Sequence, residues 1–266
     1  MTLMRAYRHQ VQNESGYVVL APPVAATEEL LQTMPPNPYA ESATQLFPIG
    51  TVMYAAERRF HYCKNAAVAL DIAAPLQSAA RIHAEADDDI VVGAASAIGA
   101  TTVTLTSTAN LAAAPLSTKD GFKEGYLIVN DAAGEGQMAR IKGHAAASGT
   151  STFVVTLYDP LTIALTTSSE VGLIQNPYAN VVASKAVMTG IYVGQPLIAV
   201  TASYYFWAQD EGPRPIVAQA AVALGTTVVV GTTAAKADPA LNTTTELAIG
   251  SPLTPGIADT ESFIVS

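Results

Sequence analysis

The stretch from Gly125 to Ile174 constrains the fold more than any other part of the chain. Four short runs rich in Val, Ile, Leu, Thr and Tyr occur there, and clusters of Asp, Gly, Ala, Ser and Thr separate them. The runs cover 125–130, 137–142, 151–157 and 170–174. Short β-prone runs between turn-forming clusters are typical of antiparallel strands joined by hairpins and loops. The stretch therefore predicts an antiparallel meander.

Similar runs on both sides of this stretch predict an all-β fold built from meander or barrel-like modules. Residues 47–73 are predicted to form a hairpin, in which the apolar Phe60 and Tyr62 alternate with polar neighbours. Such alternation indicates a strand with one buried face. We divide this part of the chain into a main β domain, 47–183, and a small barrel-like C-terminal module, 184–266.

Residues 1–46 differ from the rest because prolines interrupt any regular strand there. The prolines are Pro22, Pro23, Pro35, Pro36 and Pro38. One short helix is predicted at 27–34, with Thr27 as its N-cap and Pro35 as its end. The segment is predicted to be an extended arm whose apolar residues contact a partner. Those candidate contacts are Leu20, Pro22, Leu30, Leu31 and Tyr39. The alternative is that the arm folds back on its own domain.

Four consecutive aromatic residues, Tyr204 to Trp207, lie in another predicted strand. Side chains alternate between the two faces of a strand, so Tyr205 and Trp207 share one face and their neighbours the other. A strand with aromatic rings on both faces suits a position between a core and a neighbouring subunit. Tyr205 and Trp207 are therefore further candidate partner contacts, and a sugar-binding aromatic platform is the alternative.

The composition favours association with other protein chains. The sequence is 50% hydrophobic but only 13% charged, so few charges oppose contact between copies. A net charge of −9 opposes binding to nucleic acid, whose phosphates would repel it. The N-terminus lacks the apolar core of a secretory signal, and no stretch approaches the roughly 20 apolar residues of a membrane span. We expect synthesis in a cytoplasm and no contact with a membrane.

The sequence offers little chemistry. Residues 134–139 match the glycine fingerprint of dinucleotide folds, but Gly143 and a new strand follow, which indicates a hairpin instead. His83 and Glu85 have the H-x-E spacing of zinc deaminases, yet Cys63 is the only cysteine. Four scattered histidines leave a triad assembled in space as an alternative. They are His9, His61, His83 and His144. We expect no catalytic, cofactor-binding or metal-binding residues, and no cofactor.

Four longer runs resemble head structural proteins of tailed bacteriophages, in particular those of environmental and marine phages. The runs cover 47–66, 125–144, 156–178 and 194–220, and the likeness extends over residues 46–266. The C-terminal portion, from 228–231 and 246–266, is also similar to the last strands of capsid decoration proteins, which close a small β-barrel. The Pro-rich arm departs from the pattern of those proteins.

The resemblance implies a non-enzymatic virion protein on the capsid surface, made in the cytoplasm of a bacterial host. It implies two partners, the major capsid protein and further copies of the chain itself, arranged as a homotrimer that bridges capsomers. The alternative is a receptor-binding or glycan-binding protein attached to the head or tail. A β-helical glycan hydrolase is a third reading, but it requires paired carboxylates on strands, whereas the acidic residues here fall mostly in turns.

Overall fold

The structure is a computed structural model, which describes residues 9–13, 16–21, 36–80, 89–108, 111, 115–185, 187–233, 235–240, 247–258 and 261–265. Within these ranges the chain forms three antiparallel sheets, one of them closed into a barrel, and no helix. The predicted all-β class is therefore confirmed. No helix among the described residues is long and apolar enough to cross a membrane. The helix predicted at 27–34 lies outside the described ranges.

The strands are numbered in chain order. The first eleven are β1 (His9–Asn13), β2 (Gly16–Ala21), β3 (Val52–Ala55), β4 (Arg58–Lys64), β5 (Leu76–Gln77), β6 (Ile90–Ala94), β7 (Thr102–Thr106), β8 (Tyr126–Asp131), β9 (Met138–His144), β10 (Thr152–Leu157) and β11 (Glu170–Ile174). The others are β12 (Val182–Ala183), β13 (Tyr192–Pro196), β14 (Tyr205–Glu211), β15 (Arg214–Val217), β16 (Val228–Val230), β17 (Ala237–Pro239), β18 (Ala248–Pro252) and β19 (Glu261–Val265).

The chain divides by its contacts into two compact units. One comprises residues 1–80 together with 177–266, and the other comprises 81–176. These boundaries differ from the predicted ones at 46 and 183. The reason is that β5, before the second unit, pairs with β12 and β13, after it, in one sheet.

The first unit contains an eight-stranded sheet in the order β1-β2-β3-β4-β14-β13-β5-β12. Its centre is the pair β4 and β14, in which Tyr62 lies opposite Trp207 and Cys63 opposite Phe206. Each face of this pair carries a separate apolar cluster, one around Phe60, Tyr62 and Trp207 and the other around Cys63 and Phe206. The prediction that β4 buries only one face was wrong, because its central residues pack on both sides of the sheet.

The second unit is a closed six-stranded barrel in the order β10-β7-β6-β11-β8-β9. Inward-facing residues of every strand fill it. They include Ile90, Val103, Leu105, Leu127, Ile141, Val155 and Val171. Strands β8, β9 and β10 are consecutive neighbours, as the meander predicts. The fourth strand of the predicted meander does not follow β10. Instead, β11 pairs with β8 and β6 and so closes the barrel.

The first unit also contains a five-stranded sheet in the order β15-β19-β18-β16-β17. Its core includes Ile216, Val228, Ile249 and Ile264. The predicted C-terminal module began at residue 184, but β13 and β14 belong to the eight-stranded sheet. The five-stranded sheet therefore begins only at Arg214.

Candidate functional site

The predicted aromatic contacts lie on one face of the eight-stranded sheet. Trp207 is 2% exposed and packs against Tyr62, with ring centroids 5.1 Å apart, and against Phe47 at 5.3 Å. Tyr205 is half-buried and stacks on Tyr62 at 6.0 Å, and the ammonium group of Lys64 lies 5.6 Å from its ring. Burial raises the pKa of Tyr62 to about 12. The rings thus form a packed cluster with one partly open edge at Tyr205.

Residues 36–47 dock against this sheet, and Leu46 and Phe47 pack into the aromatic cluster. The backbone of Ser42 pairs with that of Tyr205, and the amide of Leu46 donates a 3.0 Å hydrogen bond to the hydroxyl oxygen of Tyr62. The guanidinium group of Arg58 donates to the hydroxyl of Tyr39, whose side chain is 58% exposed. This part of the N-terminal segment therefore docks on its own sheet, as the alternative to a free arm requires.

The remaining candidate contacts in the N-terminal segment are only partly described. The backbone of Leu20 in β2 pairs with that of Met53 in β3, which adds this strand to the same sheet. Pro22, Leu30 and Leu31 lie outside the described residues. Whether they reach another chain stays a prediction.

The burial of Trp207 removes the main element of the predicted sugar-binding platform. A platform needs ring faces open to solvent, whereas this indole is enclosed by Phe47, Tyr62 and their neighbours. Phe206, on the opposite face, is buried in the second cluster of the same sheet. Both faces of β14 are covered by the chain itself, and no neighbouring subunit is required to bury them.

A network of charged groups at the end of β4 and β14 was not predicted. Arg59 donates to both carboxylate oxygens of Asp210 at 2.7–3.1 Å and lies 2.8 Å from a carboxylate oxygen of Glu211. His61 Nδ1 is 3.4 Å from Asp210, and its ring stacks on Tyr178 with centroids 4.3 Å apart. The only sequence signal was an Arg and a His on a predicted strand and an acidic pair after the aromatic run.

This network lies beside a cleft of about 460 Å³ in the first unit. Tyr192 and Arg214 also line the cleft. Arg214 is buried and donates hydrogen bonds to the carbonyl oxygens of Gly212 and Ile249, at 3.2 and 2.5 Å. Its guanidinium group therefore ties β15 to β18. Arg59 and Arg214, which line the cleft, are therefore both held by hydrogen bonds within the protein.

Asp210 makes the stability of the first unit dependent on pH. Burial alone raises its pKa, but the hydrogen bonds and charges of His61 and Arg59 outweigh burial and lower the pKa below its ordinary value. The carboxylate is then ionised more readily in the folded than in the unfolded chain. Its contribution is present above the ordinary pKa of about 3.9 and is lost as the pH falls through the lower, folded-state pKa.

We expect Asp210→Asn to lower the free energy of unfolding by about 1–2 kcal/mol at pH 7, since charged hydrogen bonds are lost but Arg59 is a third exposed and screened. Urea denaturation from pH 7 to pH 2 should show the difference from the unmodified chain shrinking below pH ~4. Asp71→Asn, at an exposed position in the same unit, is the matched control. A difference that stays constant down to pH 2 contradicts the assignment.

His144 is the last residue of β9 in the barrel, and it is buried. Its Nε2 accepts a 2.9 Å hydrogen bond from the amide of Phe122, and Nδ1 lies 2.7 Å from the carbonyl oxygen of Ala145. These two partners require the neutral ring with its proton on Nδ1. The amide of His144 donates to the carboxylate of Asp120 at 2.9 Å. The histidine therefore fixes the loop that precedes β8 against the start of the β9–β10 connection.

Burial lowers the pKa of His144, so protonation favours the unfolded or locally open chain. Its stabilising contribution is complete above the ordinary pKa of about 6.5 and is lost as the pH falls from there to the folded-state pKa. We expect the Phe122 amide to lose protection from hydrogen exchange between pH 7 and pH 5, after correction for intrinsic rates. In the His144→Gln variant the protection of the Phe122 amide should not change between pH 7 and pH 5. An unchanged loss of protection in that variant would show that the His144 ring does not cause it.

The structure also places the glycine-rich motif and two of the four histidines. Residues 134–139 form the turn between β8 and β9 and the start of β9, and these strands pair antiparallel. The fingerprint match is therefore part of a hairpin. Among the four histidines, His61 and His144 lie in different units, the side chain of His9 is not described, and His83 lies outside the described residues. No group of three or more His, Cys, Asp or Glu side chains placed to hold a metal ion occurs among the described residues.

Comparisons of the chain with protein-family models, with curated proteins and with solved structures find no match.

Proposed function

We propose that this chain is a non-enzymatic structural protein of a tailed-phage virion, which decorates the head and stabilises it by bridging capsomers. The observation that carries the proposal is the number of large apolar side chains exposed on both units, on strands and in the segments that connect them. On the barrel they are Val91, Ile98, Met138, Val154, Ile163 and Ile174. On the first unit they include Val68, Ile72, Val187, Ile191, Leu224, Leu253, Ile257 and Phe263. Single exposed apolar residues are common on proteins, so the proposal relies on their number together with the low content of charged residues in the chain.

The support for a head protein in particular comes from the sequence resemblance described above. The major capsid protein is then the first partner, and further copies of the chain, as a homotrimer, are the second. Several of these residues, among them Val91, Val154 and Phe263, lie on strands that fix their backbone, which lowers the entropic cost of binding. The protein is made in the host cytoplasm and ends on the capsid surface.

Stabilisation in this proposal is a mass-action effect. A protein that binds only the assembled, expanded shell stabilises that state by RT ln(1 + [L]/Kd), where [L] is its free concentration. At a concentration of about 100 Kd the gain is about 2.7 kcal/mol for each site. Many sites on one shell therefore add to a large resistance to heat, although each contact is modest.

The proposal is tested by adding the purified full-length chain to heads assembled from the major capsid protein of the same genome. We expect saturable binding in a density gradient and a rise in the temperature at which the heads disassemble. The control is serum albumin at the same concentration. Absence of binding at micromolar concentration, together with binding to a host surface polysaccharide, would favour the receptor-binding alternative and overturn the head assignment.

A further inference from the structure

The two ends of the β8–β9 hairpin in the barrel carry opposite charge. At one end are four carboxylates: Asp131 ends β8, Glu170 begins β11, and Glu135 and Asp159 lie in the connecting segments. Asp131 and Glu170 lie opposite each other where β8 and β11 pair. The connecting segments at this end, 95–101, 132–137 and 158–169, contain no Lys or Arg. The connecting segments at this end are therefore acidic, and the guanidinium group of Arg140, in β9, instead donates to the hydroxyl of Tyr126.

Exposed apolar side chains lie among these carboxylates. Met138 begins β9 and Ile163 lies in the segment after β10, and both are about half exposed or more. The side-chain oxygen of Gln137 accepts hydrogen bonds from the amides of Thr162 and Ile163, at 2.6 and 3.1 Å. Gln137 thus holds the segment that carries Ile163 next to the start of β9. The acidic end has a fixed apolar centre.

The opposite end of the same hairpin is basic and concave. A hollow of about 660 Å³ is lined there by Lys119 and Lys142, with Ala145, Ala146 and Val154 as its apolar wall. Both lysines are exposed, and neither forms an ion pair with any described residue. Asp120 also lines the hollow and offsets one of these charges, and its carboxylate accepts a hydrogen bond from the amide of His144. Lys123, also exposed, adds a third positive charge in the same loop.

We propose that the acidic end of the barrel of one copy docks into the lysine-lined hollow of a second copy. The charges are complementary, and each side supplies an apolar centre that the contact would cover. Charge complementarity fixes the register and partner, while the covered apolar side chains provide most of the affinity. A contact between two different surfaces of the same chain is heterologous, so it closes into a ring or continues as an open chain.

This inference rests on the part of the proposed function in which copies of the chain associate, and it names the surfaces that meet. It is tested in solution without capsids, by sedimentation equilibrium of the full chain at low salt. We expect self-association at micromolar concentration that weakens as salt screens the charges. Glu135→Lys and Lys142→Glu should each weaken it by more than about tenfold, because like charges then face each other.

An equimolar mixture of the two variants distinguishes this contact from a general loss of association. The Glu135→Lys chain keeps an intact hollow and the Lys142→Glu chain keeps an intact acidic end, so the mixture should associate although neither variant does alone. Lys185→Glu, an exposed reversal in the other unit, is the matched control and should associate normally. If either variant fails to fold, Asp131→Lys and Lys119→Glu test the same contact.

The proposal is overturned if the unmodified chain stays monomeric at about 100 µM and low salt. It is also overturned if the reversals leave association unchanged, or if the mixture of folded variants stays monomeric. Head binding is measured separately, with capsids. A chain that binds heads but does not self-associate would therefore reject this contact alone, and a chain that self-associates but ignores heads would reject the capsid role alone.

Discussion

Replacing Trp207 with alanine is expected to lower the free energy of unfolding of the first unit by about 3–5 kcal/mol, the range for deleting a buried Phe or Trp side chain. The indole is 2% exposed and contacts the rings of Phe47 and Tyr62. Its loss leaves a cavity at the centre of the eight-stranded sheet and removes the ring against which Phe47 packs. The surrounding strands are held by their pairing and can collapse only in part.

Denaturation by urea, followed by circular dichroism, measures this loss without depending on the fluorescence of the deleted residue. Tyr54→Ala is the control, because Tyr54 lies on the neighbouring strand β3 of the same sheet but is 45% exposed. A surface change of this kind is expected to cost about 0.5 kcal/mol. Equal losses in the two variants would show that Trp207 is not part of the stabilising core.

The strands of the barrel were predictable because their signals are local. The predicted runs 125–130, 137–142, 151–157 and 170–174 each lie within two residues of strands in the structure. Alternation within a strand and turn-forming residues between strands depend on near neighbours in the sequence. The order of the strands around the barrel was harder to predict. That β11 lies beside β8 depends on pairs such as Gly172 with Ile128, which are distant in sequence.

The burial of both faces of β4 also could not be predicted from local sequence patterns. Alternation of Phe60 and Tyr62 with polar neighbours indicates one buried face, and the structure does bury both residues. It also buries His61 and Cys63, because Phe206 and Ala208 of β14 pack on the other face. Whether a polar residue on a strand is exposed depends on what covers its face, and the cover here comes from residues almost 150 positions away.

The ion network is the part of the site that sequence reasoning missed. Arg59 and Asp210 are 151 residues apart, and neither belongs to a motif. Their meeting follows from the pairing of β4 with β14, in which Arg59 lies opposite Glu211 across an irregularity in the register. A salt bridge between strands can be anticipated only once the strand pairing is known. The aromatic strand and the cover over both of its faces were predicted, but not that the chain itself supplies both covers.

Gly194 is a position where a single added methyl group is expected to be strongly destabilising. It lies in β13 with a φ of +129°, in a region of backbone conformation that residues with a Cβ rarely adopt. A Cβ there would lie 2.5 Å from the carbonyl oxygen and 2.8 Å from the carbonyl carbon of Gln209 in β14. Both are backbone atoms, so no side-chain rotation relieves the contact. Backbone strain and overpacking each cost about 1–3 kcal/mol.

We therefore expect Gly194→Ala to lower the free energy of unfolding by about 3–5 kcal/mol, measured by urea denaturation at pH 7. Gly225→Ala is the matched control, since Gly225 also has a positive φ, +82°, but nothing lies within 4 Å of the added Cβ. This variant should lose only the free energy needed to place alanine in the left-handed conformation, about 1–2 kcal/mol. A Cβ added at residue 194 would also lie 3.2 Å from the amide nitrogen of Asp210. If β14 shifts to relieve this contact, the ion pair of Asp210 with Arg59 is disturbed as well. The variant should then lose much of the acid dependence assigned to Asp210, whereas a variant that keeps both full stability and that dependence would contradict the close packing of β13 on β14.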